Sequence, residues 1–100
     1  MLNPAPLMIF LTDLKDPRTR INGCEHKFID ILIIAICTIM SDGESWEDME
    51  TFGHAKEGWL RTFLELPYGI PSHDTFYRIF CALDPEAFEA CFIRWVKSFF

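Results

Sequence analysis

The chain has no C-x-x-C pair, no glycine-rich phosphate loop, no internal repeat and no low-complexity tract. Those absences remove the usual zinc signature and the nucleotide-phosphate cradle. Base is also scarce, with 9 Lys and Arg against 15 Asp and Glu, a net charge of −6 and a pI of about 4.9. A free-standing nucleic-acid binder usually carries a basic footprint, so this balance counts against one. No apolar run reaches the ~20 residues that span a bilayer. The most apolar stretch, FIDILIIAICTIM over 28–40, is shorter and is interrupted by Asp30. The opening MLNPAPLMIFLTDL lacks a basic n-region and a small-residue cleavage site, so it does not read as a signal peptide. The expectation is a cytoplasmic chain with no membrane partner.

What is present is apolar. Half of the residues are hydrophobic and 15% aromatic, with ten Phe and three Trp. That is too apolar for disorder, and 100 residues make one domain with a real but marginal core. Of Cys24, Cys37, Cys81 and Cys91, three lie inside apolar helical patterns. An even count leaves a disulfide open, but nothing secretory precedes them, and reduced buried thiols fit better. His26, His54 and His73 share no ligand-like spacing with the cysteines or with one another. No metal or cofactor is expected.

The pattern reads as all-α, a compact bundle of about five helices. Residues 1–26 read as an irregular N-terminal segment, with turn signals at Asp16-Pro17 and Asn22-Gly23. Residues 27–100 read as the helical domain. Six isoleucines over 28–40 favour a strand locally. The run is too long for one, so a buried core helix is predicted, ending at Ser41-Asp42-Gly43. The next helix begins at Ser45, with Asp48 in the capping-box position and an apolar side of Trp46, Met49, Phe52 and Gly53. Trp59, Leu60, Phe63 and Leu64 continue the pattern, and Gly53 either splits this region or bends it. Asp84-Pro85-Glu86 is a strong start signal for a last helix with Phe88, Cys91, Phe92, Trp95, Val96 and Phe99 on one stripe. That stripe runs to Phe99-Phe100 with no capping residue, which reads as a chain truncated in mid-helix. The acidic run Asp42, Glu44, Glu47, Asp48 and Glu50 reads as a solvated helix face.

GIPSHDTFYRIF, residues 69–80, places Ser72, His73 and Asp74 side by side. These are the residue types of a hydrolase triad, but a triad needs three side chains converging on one point. Consecutive helical residues point about 100° apart. Ser72 instead fits an N-cap accepting from the N–H of Thr75, and Asp74 suits the first turn. Phe76, Ile79, Phe80 and Leu83 make the buried face, leaving His73, Asp74, Tyr77 and Arg78 outward. Residues 55–83 have a helix-turn-helix outline whose second helix starts at Ser72. Arg78 could then reach phosphate or a guanine edge, and Tyr77 a phosphate. The same outline occurs in many all-α domains with no DNA role.

Two blocks carry a family resemblance: ESWEDMETFGHAKEGWLRTFL and GIPSHDTFYRIFCALDPEAFEACFIRWV. With the Asp-Pro-Arg at 16–18 and the Asp30 helix, the chain resembles the N-terminal region of the H-repeat-associated proteins over about Asp16 to Lys97. These are similar to DDE transposases of bacterial insertion sequences. The resemblance implies a helical domain that precedes an RNase H-like catalytic domain working by two-metal chemistry. In that family the first catalytic Asp follows the region seen here, so no catalytic residue transfers to this chain and no catalysis is expected of it alone. The role implied is in DNA transposition, through element-end binding or transposase assembly. Nucleic-acid-binding candidates are Arg18, Arg20, Lys27, Tyr77 and Arg78. The partners implied are duplex DNA, or a second copy or the missing catalytic domain packed on Phe99 and Phe100. The alternatives are a protein-interaction module and a decayed mobile-element fragment.

Overall fold

The computed structural model describes residues 6–18 and 26–98. Six helices occupy them: α1 (Leu7–Leu11), α2 (Phe28–Met40), α3 (Trp46–Ala55), α4 (Glu57–Leu60), α5 (His73–Ala82) and α6 (Pro85–Lys97). There is no strand among the described residues, and the all-α reading holds. No described helix is long and apolar enough to cross a membrane.

Residues 30–38 of α2 are buried without a break. A helix covered on every side must be apolar all round, which accounts for the isoleucine run. Each fully buried Ile contributes about 1.5–3 kcal/mol, far more than its small helix-propensity deficit. α1 and α3 pack on α2, α5 packs on α3, and α6 packs on α1. Cys37 and Cys91 are buried free thiols, and burial pushes the Cys37 thiol up to about 11. Cys81 is free but exposed, against the expectation of burial, and Cys24 lies outside the described residues.

The helix starts follow the sequence. Ser45 and Asp48 form the reciprocal capping box, Ser72 Oγ accepts from Thr75 N–H at 3.4 Å, and Asp84 Oδ1 accepts from Glu86 N–H at 3.0 Å with Pro85 in the first helical turn. α2 stops in a Schellman arrangement. Gly43 N–H donates to Thr38 O at 2.8 Å, and Asp42 N–H to Ile39 O at 3.1 Å with Asp42 at φ 70°.

Three expectations change. Residues 1–26 are not irregular throughout, because Leu7, Leu11 and Leu14 bury at i, i+4 and i+7 and hold α1 as a single turn. Gly53 does not split its helix. α3 runs through it to Ala55 and breaks at Lys56, φ −112° and ψ 16°. The helix-turn-helix outline over 55–83 does not take that form. α4 is one turn long, and residues 61–72 separate it from α5, where such a motif uses a turn of about three or four residues.

That 61–72 connection crosses the start of α2, where Asp30, 2% exposed, accepts from Leu66 N–H at 3.1 Å. Leu66 is itself buried and sits at φ 46°, a left-handed conformation that costs a branched-chain residue about 1–3 kcal/mol. Asp30 Oδ1 has no hydrogen-bond partner among the described residues. Burial pushes the Asp30 carboxyl above its ordinary 3.8, and the Leu66 N–H and the Lys27 charge do not offset it.

A raised carboxyl pKa means that the fold keeps this proton to higher pH than the unfolded chain does. Its stabilisation is full below the ordinary value and is lost as pH rises through the folded one. Asp30→Asn cannot ionise, so its melting temperature relative to wild type should climb between about pH 4 and pH 7. A flat difference over that range would rule the raised pKa out. Two glycines should respond in opposite directions. A Cβ on Gly53 would lie 2.5 Å from Ile70 Cγ2, whereas one on Gly58 meets nothing within 4 Å. Gly53→Ala should destabilise, because overpacking at about 1–3 kcal/mol exceeds the ~0.5–1 kcal/mol helix gain that Gly58→Ala should show undiminished. Thermal melts of the two variants decide the signs.

Candidate functional site

The described basic candidates are each built into an ion pair. Arg18 Nη2 lies 2.7 Å from Asp16 Oδ2, its Nε donates to the same carboxylate, and its Nη1 donates to His26 O. Burial opposes ionisation of Asp16, but the bonds from Arg18 together outweigh it and hold the carboxyl below the usual range. Arg18 thus serves to anchor the segment before α2. Lys27, the residue that precedes α2, pairs with Glu65. That bond raises the lysine's pKa and lowers the glutamate's. Arg78 Nη2 lies 2.9 Å from Asp74 Oδ2 one turn back, and both are exposed. Tyr77 is 50% exposed, with its ring edge-on to Trp46 at 6.0 Å. A bond with Cys81 raises its pKa. Arg20 lies outside the described residues, as do Phe99 and Phe100. The structure therefore gathers Arg18 and Lys27 at the start of α2, and sets Tyr77 and Arg78 side by side on the outer face of α5.

Ser72, His73 and Asp74 engage three different partners, as the helix reading requires. Ser72 caps α5, Asp74 holds Arg78, and His73 turns to Glu50 on α3. Glu50 Oε1 accepts from the His73 backbone N–H at 2.7 Å and meets its Nδ1 at 2.9 Å. The backbone bond, then the ring bond, lowers the Glu50 pKa, and the ring bond raises that of His73. His54 Nε2 stands 4.0 Å from the other Glu50 oxygen. Sequence reading placed Glu50 in a solvated acidic face. The i, i+4 relation of Glu50 and His54 was visible, but the approach of His73 across 23 positions has no local signal. No three His, Cys, Asp or Glu side chains among the described residues are grouped so as to hold a metal ion.

The third feature is apolar and was not foreseen. Trp46 stacks on Phe80 with centroids 5.8 Å apart, and Phe80 meets Phe88 edge-on at 5.5 Å. Phe88 continues this row into a half-open groove of about 160 Å³ lined by Ile36, Ile39, Met40, Phe88 and Phe92. The geometry thus offers several surface ion pairs and an apolar recess between α2 and α6.

Comparison with known proteins places these features in context. A family model described as DDE_Tnp_1-associated matches residues 8–96. The chain is 50% identical over 93 residues to a Xanthobacter autotrophicus protein described by its position in the dhlA 3' region, covering 93% of this chain and 30% of that one. It is 41% identical over 74 residues to the "H repeat-associated putative transposase YhhI" of Escherichia coli K12, covering 74% of this chain and 20% of that one. The "Inactive transposase YbfQ" of the same strain is 43% identical over 54 residues, 54% of this chain and 64% of its own. The chain spans a fifth to under a third of the length of the first two relatives. No solved structure matches it.

The Glu50–His73 bridge predicts a pH window. Glu50, with a lowered pKa, stabilises the fold above its ordinary 4.5, and the effect is lost as pH falls through the folded value. His73, with a raised pKa, stabilises below its ordinary 6.5, and the effect is lost as pH rises through the folded value. Imidazole NMR titration should show His73 deprotonating above 6.5, and Glu50→Gln should return it to the ordinary range. A titration unchanged by Glu50→Gln would contradict the bridge.

Proposed function

The chain belongs to the DDE_Tnp_1-associated family, and on that premise we propose that it serves DNA transposition as a non-catalytic module that works by protein contact. The carrying observation is that five of the eight Lys and Arg among the described residues are paired. Arg18, Lys27, Arg61, Arg78 and Arg94 each stand against a carboxylate on a chain of net charge −6. A surface so neutralised attracts phosphate weakly. The matched region makes up only 20–30% of the longer relatives, so in them the equivalent domain has a large polypeptide to contact. Two of those relatives bear transposase names, and assembly of such a protein is the role this reading assigns.

A second reading is grip on element-end DNA through Arg18, Arg20, Lys27, Tyr77 and Arg78. The exposure of Tyr77 and Arg78 on one face of α5 favours it. An exposed pair such as Arg78–Asp74 is worth only about 0–1 kcal/mol, so a phosphate could replace the aspartate.

One experiment separates the two. The chain is titrated with duplex DNA at several salt concentrations, and separately with the remainder of the Xanthobacter relative expressed without its matching region. Contact function predicts association with that remainder and little retention of DNA beyond about 0.1 M salt. DNA affinity that falls linearly on a log–log salt plot, with no affinity for the remainder, would establish the second reading instead. Binding to neither would overturn both and leave the decayed fragment.

A further inference from the structure

The recess between α2 and α6 deepens the contact reading, on which it rests. We infer that this groove receives one large apolar side chain from a partner polypeptide segment flanked by lysine or arginine.

The shape supplies the apolar half of the inference. Ile36 floors the groove at 2% exposure, while Ile39 and Met40 on its rim are 56% and 41% exposed. All five lining residues are apolar, and the volume of about 160 Å³ suits a single bulky side chain. Thr38 points inward and bonds to Ile34 O at 2.7 Å, whereas the next two residues, both apolar, turn to solvent. Folding places no demand for apolar residues at those two exposed positions. An apolar recess with exposed apolar rims is the form of an anchor pocket at an interface. Phe88 belongs both to the groove and to the Trp46–Phe80–Phe88 row, so the apolar area extends beyond the recess.

Charge supplies the other half. There is no Lys or Arg from residue 28 to 55 and none from 79 to 93. Those spans contain α2, the turns beside the groove and α6 as far as Ile93, with Arg94 and Lys97 following in the last turn of α6. They carry Asp42, Glu44, Glu47, Asp48 and Glu50, and Asp84, Glu86 and Glu89, all exposed except the partly covered Glu50. Such a field draws in cations, and it repels DNA phosphate and the like-charged face of a second copy. The aromatic row beside the recess adds ring faces that attract Lys and Arg.

The probes are two amphipathic helical peptides of about five turns, or ~18 residues, one built of Leu and Lys and the other of Leu and Glu. The full chain is titrated with each by calorimetry, and backbone amide shifts are mapped. The Leu/Lys peptide should bind at least about tenfold more tightly than the Leu/Glu peptide, with shifts on the last turn of α2 and on α6. Met40→Asp, at an exposed position, should cost about tenfold in affinity with an unchanged melt. Glu44→Lys with Glu89→Lys should weaken binding to a similar degree without touching the pocket, which guards against a folding defect in the first variant. Equal affinity for both peptides, shifts confined elsewhere, or indifference to Met40→Asp would each overturn the inference. So would a concentration-dependent dimer that Met40→Asp abolishes, which assigns the groove to a second copy. Association with the Xanthobacter remainder that survives Met40→Asp sinks the groove but keeps the contact module. Leu/Lys binding at the groove without affinity for that remainder supports the groove and rejects the module's assigned partner.

Discussion

Nine consecutive buried residues of α2 set the terms for everything around them. Asp30 and Thr38 are the polar members of that run, and each needs a partner without water. Thr38 finds one in its own helix, on the Ile34 carbonyl. Asp30, at the helix start, cannot do the same, and takes the Leu66 N–H from a segment 36 positions away. That single bond fixes where the 61–72 connection crosses α2, and with it where α5 begins. Leu66 adopts a left-handed backbone to present the N–H, and its side chain is buried to 1% exposure while it does so. Burial of a leucine is worth as much as the strain costs.

The same constraint sorts the charges. An interior filled by α2, with Leu7, Leu60, Phe76 and Trp95 around it, holds Asp30 as the one buried ionisable carboxyl among the described residues. The other carboxylates among the described residues are exposed or half-buried, and they pair with Arg18, Lys27, Arg61, Arg78 and Arg94. The distribution is not even. Bases gather before α2, on either side of α4 at Lys56 and Arg61, at Arg78 on α5 and near the end of α6, while the α2–α3 turn and the start of α6 carry acids alone. The exposed groove residues Ile39 and Met40 directly precede one of these acid-only stretches, while Ile9, Tyr68 and Tyr77 are exposed elsewhere. Charge and greasiness at the same place point to contact with another polypeptide more than to contact with a phosphate backbone.

Much of this was legible in the sequence. The caps at Ser45, Ser72 and Asp84 and the inward face of α5 follow from side-chain chemistry within a few positions, and they stand where the pattern put them. Tyr77 and Arg78 face outward for the same reason. What the sequence hid was long-range. Asp30 read as an interruption of an apolar run, because nothing near it announces Leu66. Glu50 read as one acid among five, because His73 lies on another helix. Lys27 and Arg18 read as available cations, because their carboxylate and carbonyl partners depend on how segments fold back. α1 escaped because five residues give no usable period, and contact with α2 and α6 holds them helical. The helix-turn-helix outline failed because periodicity does not measure the length of a connection.

The groove lies at the limit of what pattern can reveal, since a helix that is apolar all round gives no hint of which residues surface. The answer comes from the way α2 stops. At Gly43 a Cβ would lie 2.3 Å from Thr38 Cγ2 and 2.9 Å from Thr38 O, so no other residue permits this tight return of the chain. The return closes two hydrogen bonds on the final turn and keeps Ile39 and Met40 helical rather than frayed. Their side chains form a rim whose backbone is already ordered before any partner arrives. A pre-ordered rim spares a ligand the entropy of organising it, which is the property that separates a binding groove from an accident of packing. The glycine that ends the helix and the apolar pair exposed just before it thus act as one device, and the fold's central constraint, the burial of α2, is what brings that device to the surface.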